Sequence, residues 1–130
     1  MGRVDADTMR VAAGHHVVFR LLLRGHDASL TSSDRADILV CSADGLRVAL
    51  LSVRALDDGG SLRVEEQVTI ARNRAYICVE IPSDEQQPSC YVVPSVVFAK
   101  VVLWTRGSLE PFRDAWHLLG LDGASLRIAS

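Results

Sequence analysis

The sequence predicts a single α/β domain over residues 1–130, a mixed central sheet of about five strands flanked by an N-terminal helix and by C-terminal helices. Three observations carry that prediction. Apolar residues recur at roughly helical spacing from Thr8 to Arg24. Two apolar runs, Asp37 to Ser42 and Leu46 to Leu56, flank a tight Ala43-Asp44-Gly45 turn, and Asp-Gly between such runs is a strong hairpin feature. Two more β-rich runs, Ala75 to Ile81 and Ser89 to Val93, follow beyond a polar connection.

The first helix presents Val11, Ala12, Val17, Val18, Leu21 and Leu22 as its apolar face, with Asp7 or Thr8 as N-cap and Gly25 as its stop. A short strand around Ala28 to Thr31 comes next. Both strands of the hairpin Ala36 to Ala55 are nearly continuous in apolar character, so other elements are expected to cover both of their faces. Ser61 to Arg74 has mixed periodicity and reads as a connection with a short helical turn. After Ala75 to Ile81, the polar loop Pro82 to Pro88 and the strand Ser89 to Val93, Pro94 ends the strand and Ser95 can cap a helix from Val96 to Trp104. A last short helix is expected near Pro111 to Leu118, and residues 1–7 and 122–130 are expected to fray.

Composition narrows the function classes. At 130 residues, 48% hydrophobic and 23% charged, the chain can bury a core without staples, and no apolar run reaches the ~18 residues of a membrane span. The opening MGRVDADTMR lacks the apolar core of a secretory signal, which leaves a cytoplasmic location as the default. A net charge of −2 gives no global field toward nucleic acid, so any such binding has to be local. Cys41, Cys78 and Cys90 match no zinc spacing and read as buried free thiols. Thirteen of the fourteen basic residues are arginine and only Lys100 is lysine, and arginine serves poorly in proton transfer.

The hairpin also carries the candidate chemistry. Asp37 opens one strand, and Ser52 and Arg54 lie two apart on the next, pointing to one face. This arrangement resembles the PD-(D/E)XK nuclease superfamily, whose core is a helix, a strand bearing an aspartate and a neighbouring strand bearing acid-x-lysine. GHHVVFRLLLRGHDASLT, AYICVEIPSDEQQPSCYVVPSVVFAK and FRDAWHLLGL are similar to successive segments of a poorly characterised bacterial branch, so the resemblance covers residues 14 to 121. It implies a restriction endonuclease-like core, and Mg²⁺ as cofactor if the site is active. In the family two acids hold the metal and the lysine helps position the attacking water.

This chain departs from the motif at three of four positions. His15 stands where the branch often has a glutamate, Ser52 where the family has the second acid, and Arg54 where it has the lysine; only Asp37 matches. As a metal ligand Asp37 alone is expected to be weak. Arg54 is open to three readings: an ion pair with Asp37, a phosphate clamp, or part of a surviving catalytic site. Glu65 and Glu66 read as a solvated charge pair, Glu80 as a strand-rim residue, and His15 as half-exposed or as an acid–base group beside Asp37. Trp104 and Trp116 are expected to pack the C-terminal helices.

Three functions follow as expectations. The first is a nuclease-like domain that has lost hydrolysis and serves in binding or assembly, without a cofactor. The second is an atypical Mg²⁺-dependent nuclease acting on nucleic acid. The third is a homodimeric interaction module using the apolar surface of Val96 to Trp104.

Overall fold

The computed structural model describes residues 5–32, 35–82 and 86–121. Helix α1 spans Ala6–Leu23, and Asp5 caps it by accepting from the Thr8 backbone N–H at 2.7 Å. The cap thus lies two residues before the nearer of the two expected ones, and Ala6 and Asp7, expected to fray, belong to the helix; residues 1–4 and 122–130 lie outside the described residues. Gly25 ends it with φ +88, a left-handed conformation that glycine adopts without steric cost. The buried stripe is Ala13, Gly14, Val17 and Leu21, whereas Val11 and Leu22 are exposed. The close approach of β1 decides this rotation: a Cβ on Gly14 would meet Leu30 at 3.2 Å.

Strands β1 (Asp27–Leu30), β2 (Ile38–Cys41), β3 (Val48–Ala55), β5 (Arg74–Glu80) and β6 (Ser89–Pro94) form one sheet in the order β1-β2-β3-β5-β6. β3 is central, antiparallel to β2 and parallel to β5, so the sheet is mixed as expected. The hairpin turn is present: Gly45 has φ +74, and the Asp44 carboxylate accepts from the Leu46 N–H at 2.9 Å.

The alternation of side chains along β3 splits the core in two. On one face Ala49, Leu51 and Val53, with Ile38 and Val40, pack under α1 and against Trp116 and Leu119. On the other face Tyr76, Cys78, Tyr91 and Val93 pack with Phe98, Trp104 and Leu109. This second layer lies over β5 and β6 and does not extend to β2, where Leu39 is 38% exposed and Cys41 half-buried. The expectation that both hairpin strands are covered on both faces therefore fails for β2.

Four other expectations change. Residues Ser61–Arg63 form strand β4, not a helical turn, and pair antiparallel with β7 (Leu103–Thr105). The helix expected from Val96 to Trp104 is only α2, Ser95–Phe98, because Trp104 is pulled into β7 and packs its ring near Phe98 and Phe112. Ser95 does not cap α2: its hydroxyl donates to the Ala71 carbonyl at 2.9 Å and accepts from the Ala71 N–H at 3.0 Å. Helix α3 spans Arg106–Leu109, and the expected helix Pro111 to Leu118 is replaced by two 3₁₀ turns, Glu110–Phe112 and Trp116–Leu119. Asp114, at φ 50, breaks the run between them. The loop Pro82 to Pro88 falls partly outside the described residues. No helix among the described residues is long and apolar enough to cross a membrane.

Candidate functional site

Asp37 precedes β2, where the sheet edge steps back. Its own N–H donates to the Leu51 carbonyl at 2.8 Å, the last backbone bond on that side. Farther along β3, Val53 has no β2 residue opposite it, and its N–H instead donates to Asp37 Oδ2 at 2.7 Å. The carboxylate thus continues the ladder by one bond. The same group takes two arginines: Arg10 Nη2, from the first turns of α1, lies 3.0 Å from Oδ1, and Arg54 Nη1 lies 3.4 Å from Oδ2.

Ser52 and Arg54 share the face of β3 away from α1, as their spacing required. Arg54 makes its closest pair with Glu66: Nε donates to Oε1 at 3.0 Å and Nη2 to Oε2, a fork-to-fork geometry. Its Nη1 also donates to the Val53 carbonyl at 2.8 Å, and its guanidinium lies 5.7 Å from the Tyr76 ring centre. The hydrogen bond to Glu66 raises the Arg54 pKa further, burial opposes that, and the charges of Glu66 and Asp37 add to it. Glu66 is therefore half of an ion pair, contrary to the solvated pair expected for Glu65 and Glu66; Glu65 is exposed. The Asp37–Arg54 pair exists, but as the longer arm of an Arg10–Asp37–Arg54–Glu66 chain.

Ser52 is buried, with Arg74 Nη1 3.5 Å from its hydroxyl. Arg74 opens β5 and also donates to the Arg35 carbonyl. Two adjoining clefts meet at these groups. One, of about 350 Å³, is lined by Arg10, Thr31, Ser32, Arg35, Asp37, Ser52 and Arg54. The other, of about 510 Å³, shares Arg35, Ser52 and Arg54 and extends past Glu66, Asn73, Arg74 and Tyr76.

The structure brings Asp37, Ser52 and Arg54 together and leaves His15 out. His15 is exposed on α1 and lines neither cleft. Arg10, one helical turn before Gly14, reaches the site instead. Glu80 pairs with Arg106 elsewhere, and Lys100 is exposed. Arg10, Arg35 and Arg74 are the contributors that sequence spacing missed. The Arg10 position, on the same helix as His15 and near the branch's acid, was the available clue; Arg35, just before β2, and Arg74, at the start of β5, meet because β3 pairs with both β2 and β5.

Mg²⁺ demands an octahedral oxygen shell, normally with one or two carboxylates and substrate oxygens. Among the described residues no group of three or more His, Cys, Asp or Glu side chains is placed to hold a metal ion. Here one carboxylate is already met by a backbone N–H and two guanidiniums, whose positive charge repels a dication. This donor set does not fit the cation.

The fold has a solved counterpart. The structure of a bacterial homing endonuclease, I-Ssp6803I, matches 98% of this chain and 100% of its own, with a TM-score of 0.64 and 18% identity. The chain has a nuclease-like fold. At that identity the likeness shows the fold alone. No protein-family model and no curated protein sequence matches the chain.

Proposed function

We propose that this chain is a PD-(D/E)XK-like domain that has lost metal-dependent phosphodiester hydrolysis and acts in binding or assembly. The observation that carries the reading is the state of Asp37. The carboxylate at the aspartate position of the motif is taken up by Val53 N–H, Arg10 and Arg54, while Ser52 and Arg54 stand at the acid-x-lysine positions. Ser52 brings no charge to a cation and Arg54 holds its proton at any accessible pH. In place of a metal-and-nucleophile arrangement stands a linear chain of ion pairs from Arg10 to Glu66.

The test is incubation of the purified protein with single- and double-stranded DNA and with RNA, in Mg²⁺ or Mn²⁺, beside Asp37→Ala. No cleavage above the variant's background is expected. Metal-dependent cleavage that Asp37→Ala abolishes overturns the reading in favour of an atypical nuclease. Exposed Val96, Val102 and Leu103 favour the homodimeric module as a second reading; a monomer by light scattering at high concentration removes it.

A further inference from the structure

We propose that the solvent-facing side of α1 is the contact surface of a symmetric dimer, in which the helix packs antiparallel on α1 of a second copy of this chain. Such a dimer gives the assembly role above a surface and a partner, resting on the non-catalytic reading for that role and on α1 alone for the contact. Ala13, Val17 and Leu21 are buried against the sheet, and a surface helix normally turns charged groups to the opposite side. Here Val11, His15, Phe19 and Leu22 recur once per turn on that opposite side, joined by Ala12 and Leu23, and all six are exposed. Val11, Phe19, Leu22 and Leu23 are each more than half exposed. The charged residues of the helix lie elsewhere: Arg10 and Arg20 are turned to Asp37 and Asp114, and Asp7 belongs to the first turn. A stripe of apolar side chains and one histidine, about 18 Å long, therefore faces solvent.

The charge at the two ends of the helix selects the occupant. Asp5 and Asp7 lie at its N-terminus and Arg24 at its C-cap. Two copies laid antiparallel place Asp7 within reach of the partner's Arg24, and twofold symmetry makes that contact twice. The opposed helix macrodipoles favour the same arrangement. In this register Val11 meets the partner's Leu22 and Leu23, and His15 meets the partner's Phe19, so the stripe covers itself along its length. A parallel pair sets Asp5 and Asp7 against their own copies instead. The four large side chains expose apolar area on the order of 400 Å², the size of patch that marks interaction surfaces on soluble proteins. A standard stable interface takes about 800 Å² from each partner, so this contact is weak and concentration-dependent. A lipid surface fits less well. Helices that lie in a membrane interface are rich in Lys and Arg on their polar face, whereas Arg10 and Arg20 are held by carboxylates here and the chain's net charge is −2.

Sedimentation equilibrium of the full chain in EDTA, between roughly 5 and 500 μM, should show a monomer–dimer equilibrium. Phe19→Glu puts a charge in the middle of the stripe and should raise the dissociation constant at least about tenfold. Its urea midpoint at low concentration should stay at the wild-type value, because Phe19 lies outside both core clusters. Val102→Glu, on the other exposed apolar surface, should leave the equilibrium as it is. Asp7→Arg and Arg24→Asp should each weaken self-association at least about threefold. Mixed in equal amounts, the two variants should recover wild-type association, since each chain then supplies the charge that the other lacks. A monomer throughout the range, a dimer that Val102→Glu but not Phe19→Glu dissociates, or no recovery on mixing overturns the proposal. So does Phe19-dependent flotation of the chain with phosphatidylcholine–phosphatidylserine vesicles, which would assign the stripe to a membrane. The association is read without metal or substrate, so cleavage in Mg²⁺ that Asp37→Ala abolishes would remove the non-catalytic reading and leave the dimer standing.

Discussion

Replacing Asp37 separates a structural carboxylate from a catalytic one by the sign of the stability change. Asp37→Ala removes the 2.7 Å acceptor of the Val53 N–H, a bond to an ionised group worth about 1.5–3 kcal/mol. It also removes two partly exposed ion pairs, each worth about 0–1 kcal/mol, and Arg54 retains Glu66. The expected loss is about 1.5–5 kcal/mol, and at roughly 4 °C per kcal/mol for a chain of this size the melting temperature falls by roughly 6–20 °C. Asp37→Asn keeps an oxygen for Val53 and loses only charge, so about 1 kcal/mol is expected. Urea unfolding of the three proteins at pH 7, with equal slopes, measures both. An acid held for a metal is a strained group whose removal stabilises, a common cost of function. Asp37→Ala at or above wild-type stability would therefore refute the structural role argued for this residue.

The same kind of measurement reaches other parts of the molecule. Ser95→Ala removes the partner of the Ala71 N–H and one of the two donors to the Ala71 carbonyl, which keeps the Arg74 N–H at 3.2 Å, and urea unfolding should register a loss of about 0.5–1.5 kcal/mol. Cys78 and Cys90 are fully buried, and burial pushes both thiols up to about 12, so iodoacetamide at pH 8 followed by mass spectrometry should label half-buried Cys41 first in native protein. Comparable labelling of all three without denaturant would contradict the packing described. Burial, with help from Arg20, lowers the His16 pKa, against a smaller opposing effect of Asp114. The unfolded chain then binds the proton more readily, so the contribution of neutral His16 is complete above about pH 6.5 and is lost as pH falls through the lowered folded value. His16→Gln should flatten the decline in stability below pH 6.5; an unchanged pH profile would assign that decline to other groups.

Sequence by itself determined the elements whose cause is local. Apolar spacing set α1, Asp44-Gly45 set the hairpin, β-branched runs set β5 and β6, and period-two alternation placed Ser52 and Arg54 on one face with Asp37 beside them. Each depends on neighbours within a few residues, which is where spacing carries information. Tertiary structure decided what distant segments do to one another. Leu103 and Trp104, which fall in the helix expected from Val96 to Trp104, are extended because β4 offers β7 a partner, and Ser95 gives up its cap for Ala71, 24 residues away. The site divides in the same way. Its three motif positions were legible, but Glu66 as the principal partner of Arg54, Arg10 in place of His15, and Arg74 beside Ser52 were not. An ion pair is fixed by distance in space, and the pairing of β3 with β2 and β5 together with the packing of α1 on the sheet brings those charges within a few ångströms.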